Sequence, residues 1–190
     1  MANQAVSRFL SSLEGRRTAL VLGGLELFVL SAVNRLDFPL SVPFLVRVTG
    51  QPYLDMCAFC SSSAVLTQLD ALGDRGRLLQ ALLIPTIDVL IPVLSFLFGL
   101  SALLTLAAPW RSHRWVGGLL WLPAAALALD LAENASIIAL LLRYPLASPE
   151  IAGLQGILTG LKFVAYGSVL MAVLALLVVR GGRALRPRQP

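Results

Sequence analysis

Four long apolar stretches constrain this chain more than any other feature. They run from about Thr18 to Val33, Leu78 to Ala107, Val116 to Leu142 and Ile151 to Val179. Each approaches or exceeds the roughly 20 residues with which a helix crosses a bilayer. Backbone in lipid must satisfy its own hydrogen bonds, and blocks without alternation do so as helices, not as a porin-like barrel. Charged residues make up 13% of the chain and the mean hydropathy is +0.82. Those values exclude a disordered chain, a disulfide scaffold and an ordinary water-soluble globule. The expected fold is all-α: a four-helix transmembrane bundle over residues 18–179, between an N-terminal segment (1–17) and a basic tail (180–190).

A signal peptide is the competing reading of the first block, since Arg8, Arg16 and Arg17 precede it. Glu26 in its middle and the lack of a small-x-small cleavage site argue for a span instead. Fourteen arginines and one lysine face ten acids. In a soluble protein this excess would suggest nucleic acid, but here the arginines sit at the ends of apolar blocks. Nine of the 14 fall in the N-terminal segment, the turn with Arg111 and Arg114, and the tail. The positive-inside rule then places both termini in the cytoplasm of a multi-pass protein of the cell membrane, with no nucleic-acid partner. Within the long connection 34–77, the spacing of Ala64, Val65, Leu66, Leu69 and Leu72 predicts an amphipathic surface helix before the second span. The Phe38–Val48 stretch is expected to act as an interfacial cap.

Every span carries an ionisable group: Glu26, then Asp88, then Asp130 with Glu133, then Lys162. Such residues are costly in lipid, face the bundle interior and are functional candidates. At about 1.5 Å per residue, Asp88, Lys162, Asp130 and Glu133 lie about 13–18 Å from the same end of their spans. Asp130, Glu133 and Asn134 fall at i, i+3 and i+4, while Gln155, Thr159, Lys162 and Tyr166 form a stripe on the fourth span. Asp88, Pro92 and Ser95 share a face of the second span, and Pro92 leaves the Asp88 carbonyl without its helical donor. Four carboxylates cannot all ionise beside one ammonium at low dielectric, so some must keep their protons. A shielded acid in an apolar pocket suits protonation of a lipophilic alkene. A polar network that merely holds the helices together and a proton-coupled transporter subunit are the alternatives.

Other signals are weaker. Cys57 and Cys60 form a C-x-x-C that would suit thiol-disulfide chemistry. A relay to substrate needs a second cysteine pair, which this sequence lacks, so a local disulfide or two plain cysteines compete with it. One histidine, His113, and two cysteines cannot close a zinc site. Asn134-Ala135-Ser136 is a sequon placed too deep for modification. Gly153, Gly156, Gly160 and Gly167 form a small-residue stripe expected to meet another helix or a second copy, as in a homodimer.

From about Tyr53 to Leu177 the chain resembles a broad family of small bacterial four-span membrane proteins. The matching elements are Leu72-Gly73-Asp74-Arg75-Gly76-Arg77, Asp88 with Pro92, Leu129-Asp130-Leu131-Ala132-Glu133-Asn134, Tyr144-Pro145 and Lys162. An aromatic residue expected soon after Arg77 is replaced by Leu78, Leu79 and Gln80. The architecture is also similar to the membrane terpene cyclases of actinomycete indole-sesquiterpene pathways. That resemblance implies acid-initiated cyclisation of a prenylated, farnesyl-type substrate, a reaction that requires no metal or cofactor. On this reading Asp88, Asp130 and Glu133 supply the acid and counter-charge, Glu26 and Lys162 tune them, and Asn134 and Tyr166 hold the acid or the substrate head.

Overall fold

The computed structural model describes residues 2–184, which are almost wholly helical and contain no strand. The basic tail expected beyond the fourth span lies mostly outside them. An amphipathic helix, α1 (Ala2–Leu13), which the periodicity of the long blocks did not predict, precedes the first span α2 (Arg16–Arg35). The corner between them turns at Gly15, whose φ of 149° suits only glycine. It is fastened to a later helix: the Gly15 amide donates to Thr105 Oγ1 at 3.0 Å and the Ser101 hydroxyl to the Leu13 carbonyl at 2.6 Å.

The connection folds into a cap. Helix α3 (Val42–Thr49) is started by Ser41, whose hydroxyl accepts from the Phe44 amide, and stopped by Gly50 at φ 68°. A short 3-10 turn, Leu54–Met56, leads to a Cys57–Cys60 disulfide, and Ser61 then caps α4 (Ser62–Ala71). This is the expected amphipathic helix, but its apolar side meets protein. Val65 and Leu69 are buried with Ile137, Leu140 and Ala152 from the ends of the third and fourth spans. The second span runs from α5 (Gly73–Leu83) through a π-helical turn, Ile84–Asp88, into α6 (Val89–Ala107). Pro85 interrupts the helical ladder here, and the Thr86 hydroxyl turns back to the carbonyls of Leu82 and Leu83 at 2.8 and 2.9 Å. The third and fourth spans are α7 (Arg114–Arg143) and α8 (Pro149–Ala184).

Among the described residues, four helices are thus long and apolar enough to cross a membrane. They do not pack equally. Helices α6, α7 and α8 form a close three-helix core, whereas α2 leans on α6 and α3. Only Val33 of α2 is buried. The expected four-helix bundle is present, with its first helix attached along one flank.

The cap is latched to the spans at two places. The Arg77 guanidinium lies 3.5 Å from the centre of the Tyr144 ring and donates to the Leu69 carbonyl at 3.1 Å. That gives the Gly76-Arg77 and Tyr144-Pro145 elements a structural role. The second latch is the glycine stripe. A Cβ on Gly156 would strike the backbone of Cys60, one on Gly160 the ring of Phe59, and one on Gly153 the Ser62 hydroxyl. The Phe59 amide donates to the Gly156 carbonyl at 2.8 Å. Three of the four glycines therefore receive the chain's own cap, and only Gly167 faces open space. The homodimer expected through this stripe loses most of its surface.

Candidate functional site

The gap left where α2 and α8 hardly touch is a cleft of about 790 Å³. Its walls are mostly apolar, with Leu27 and Leu30 on α2, Ile87 and Ile91 on the second span, and Phe163 and Leu170 on α8. Leu27, Phe163 and Leu170 remain exposed at its edges, so it opens sideways between the two helices, toward the side where lipid would lie. The cap closes one end with Val42 and Tyr53.

Polar groups enter this surface from every span. The Ser95 hydroxyl donates to Glu26 Oε1 at 2.5 Å, tying the middle of α2 to α6. Asp88, half-buried at the end of the π turn, makes no hydrogen bond or ion pair among the described residues. Asp130 is 5% exposed; its Oδ2 accepts from the Tyr166 hydroxyl at 3.0 Å, and its Oδ1 finds no partner among the described residues. Lys162 reaches the cleft from α8. Five of the sequence-predicted residues (Glu26, Asp88, Asp130, Lys162 and Tyr166) thus share one surface.

The other two do not join them, which corrects the expectation that the D-x-x-E-N element works as a unit. Glu133 is fully buried on the far side of Lys162, paired with its ammonium and accepting from the Thr159 hydroxyl. Asn134 is also buried but lines no part of the cleft, and its amide finds no hydrogen-bond partner among the described residues. The cause is helical geometry. At about 100° per residue, Glu133 and Asn134 stand about 60° and 40° to opposite sides of Asp130.

Sequence reasoning missed Asp55 and Tyr53. Asp55 sits in the 3-10 turn, with Oδ2 3.6 Å from the Lys162 ammonium and Oδ1 unpartnered among the described residues. Burial pushes its carboxyl above the ordinary value, and Lys162 pulls it part of the way back. Tyr53 is 4% exposed and its hydroxyl has no partner among the described residues. Burial, with Asp55 nearby, raises that hydroxyl's pKa too. The available signal was an aspartate between Leu54 and Met56 beside a C-x-x-C able to fold the connection back. Asp55 lies in a long connection, where no helical periodicity marks a residue as buried. Gln155 completes the site from behind, donating at 2.9 Å both to the Leu54 carbonyl and to Thr159 Oγ1.

With this geometry in view, comparison with known proteins was negative. The chain matches no family model, no curated protein and no solved structure. The site must be read from its own chemistry. Among the described residues, no three His, Cys, Asp or Glu side chains are grouped to hold a metal ion. Among the described residues the arrangement offers an acid, Asp88, unengaged by hydrogen bonds; a second, Asp130, oriented by a tyrosine; and walls that are mostly apolar.

Proposed function

We propose that this protein is a membrane-embedded acid catalyst that cyclises a prenylated, farnesyl-type lipophile. The observation that carries the reading is the lateral apolar cleft of about 790 Å³ with Asp88, Asp130 and Glu26 on its walls. That size lies within the roughly 300–1,000 Å³ of small-molecule sites. Asp88 is suited to give a proton to a terminal alkene or epoxide, since no hydrogen bond among the described residues restrains it. Electrons of the next double bond close a ring onto the resulting cation, and the carboxylate at Asp130, held by Tyr166, offsets the positive charge. Loss of a proton from the final cation to a carboxylate forms the product alkene and restores the acid. The apolar walls keep away water that would quench the cation. Lys162, set between Glu133 and Asp55, is a positioning residue that fixes the local charge.

The arginine distribution supports an orientation with both termini in the cytoplasm and the cap outside, so substrate would arrive from the outer leaflet. The paired Lys162–Glu133–Thr159–Gln155 side favours a second role, helix-to-helix and helix-to-cap adhesion, for that part of the network. The test is mass spectrometry of products after incubation of the protein in micelles with a panel of farnesylated aromatics and their epoxides. No nucleotide, metal or gradient is added. Asp88→Asn and Asp130→Asn are each expected to cut turnover about 100-fold or more while the protein stays folded. Full turnover in both variants overturns the assignment. Gradient-driven flux in proteoliposomes, with no product from any substrate, would replace it with a transporter.

A further inference from the structure

Helix α1 packs with only part of its apolar face. Val6, Phe9, Leu10 and Leu13 fall within about 100° of one another around its axis, with Ser7, Arg8 and Ser11 on the other side. Leu10 and Leu13 rest on Leu100 and Leu104 of α6, whereas Val6 and Phe9 stay 56% and 45% exposed. A helix of 12 residues is marginal in water on its own, so the uncovered half calls for an apolar neighbour.

Three contacts fix where that neighbour lies. The Gly15 amide, the Ser101 hydroxyl and an Arg111–Glu14 ion pair at 2.5 Å bind the α1–α2 corner to the end of α6 and the turn after it. That turn leads through Trp110 to Trp115, residues of the kind that mark the boundary between hydrocarbon and headgroups. The corner is held at the level of the span ends, and α1 departs from there. Charge at this end has one sign. Residues 1–25, 96–129 and 163–184 hold a single acid, Glu14, and Arg111 occupies it. Arg16, Arg17 and Arg114 are exposed and meet no carboxylate among the described residues.

We propose that α1 is an interfacial anchor for acidic phospholipid: it lies along the membrane surface with Val6 and Phe9 among acyl chains, while Arg16, Arg17 and Arg114 bind the anionic headgroups. A second copy docked on this face in the same membrane would bring its own arginines against these, which favours lipid as the occupant. The anchor requires no reaction in the cleft. Because α1 continues into α2, whose Leu27 and Leu30 wall the cleft, it holds the most loosely packed span by its end.

Two readouts test this on the full-length protein in nanodiscs of equal phosphatidylglycerol and phosphatidylcholine. Nitroxide labels are placed through Val6→Cys and Ser11→Cys, with Cys57 and Cys60 kept in their disulfide. They report collisions with oxygen, which concentrates in lipid, and with a water-soluble nickel chelate. The label at position 6 is expected to favour oxygen and the label at position 11 the chelate, each by about threefold or more. A label at position 6 that meets the chelate freely, or that protein shields from both reagents, overturns the anchor. For the headgroups, the lipid retained after detergent extraction is counted by mass spectrometry. Phosphatidylglycerol is expected to exceed phosphatidylcholine about fivefold or more, and Arg16→Gln/Arg17→Gln/Arg114→Gln to bring that ratio below about two. Arg35→Gln/Arg143→Gln, at the opposite ends of their spans, should leave it unchanged. Equal retention of the two lipids by the unaltered protein, or a ratio that both sets of arginine variants affect alike, overturns the lipid assignment.

Discussion

The two sides of Lys162 are built from the same residue types and behave as opposites. Toward α7, Glu133, Thr159 and Gln155 form a closed chain of contacts that ends on the Leu54 carbonyl of the cap. Toward α2, Asp88 makes no hydrogen bond among the described residues and Asp130 is held only by Tyr166, both beside an open apolar surface. The difference follows from packing. Helices α7 and α8 lie close enough for short side chains to meet, while α2 stands off and leaves a cleft. The closed side looks built for cohesion and the open side for a visitor.

Changes on the closed side should therefore cost stability, and those on the open side should cost binding or turnover. The largest loss is expected from Lys162→Met, which leaves Glu133 buried without its partner and should destabilise by about 3–5 kcal/mol. Adding Glu133→Leu should recover most of that, because an apolar pair of similar volume suits the same space. Reversible unfolding in mixed micelles measures both, and a double variant no better than the single would mean the pair is not the source. Next comes Gly156→Ala, whose new methyl meets the Cys60 backbone. It should cost about 1–3 kcal/mol and increase proteolysis within residues 51–61. A smaller loss of stability, about 1 kcal/mol, is expected for Ser95→Ala, which removes the hydrogen bond that ties α2 to α6 through Glu26. Gly167→Ala should change stability by no more than about 0.5 kcal/mol, since nothing lies near its Cβ position. A large loss there would point to a packed partner on that face.

Much of this arrangement was visible in the sequence because helical periodicity is local. Depth arithmetic placed Asp88, Asp130, Glu133 and Lys162 at one level, and the i, i+4 spacing put Tyr166 with Lys162. Proline in the second span pointed to a disturbed helix where the π turn lies. What local pattern could not give was which neighbour each face would meet. The small-residue stripe read as a helix–helix or subunit contact, yet a loop closed by Cys57–Cys60 fills it. Asp130, Glu133 and Asn134 read as one face, yet the width of that face lets α8 claim Glu133 while the cleft takes Asp130. Asp55 escaped because its burial depends on how a long connection folds back, and no periodicity records that.

The Asp55–Lys162 contact has a practical consequence. It joins the connection between the first and second spans to an electrostatic centre buried within the fourth span. A nanobody that grips the connector should therefore act as a remote handle, shifting that ionic centre without contacting the spans themselves.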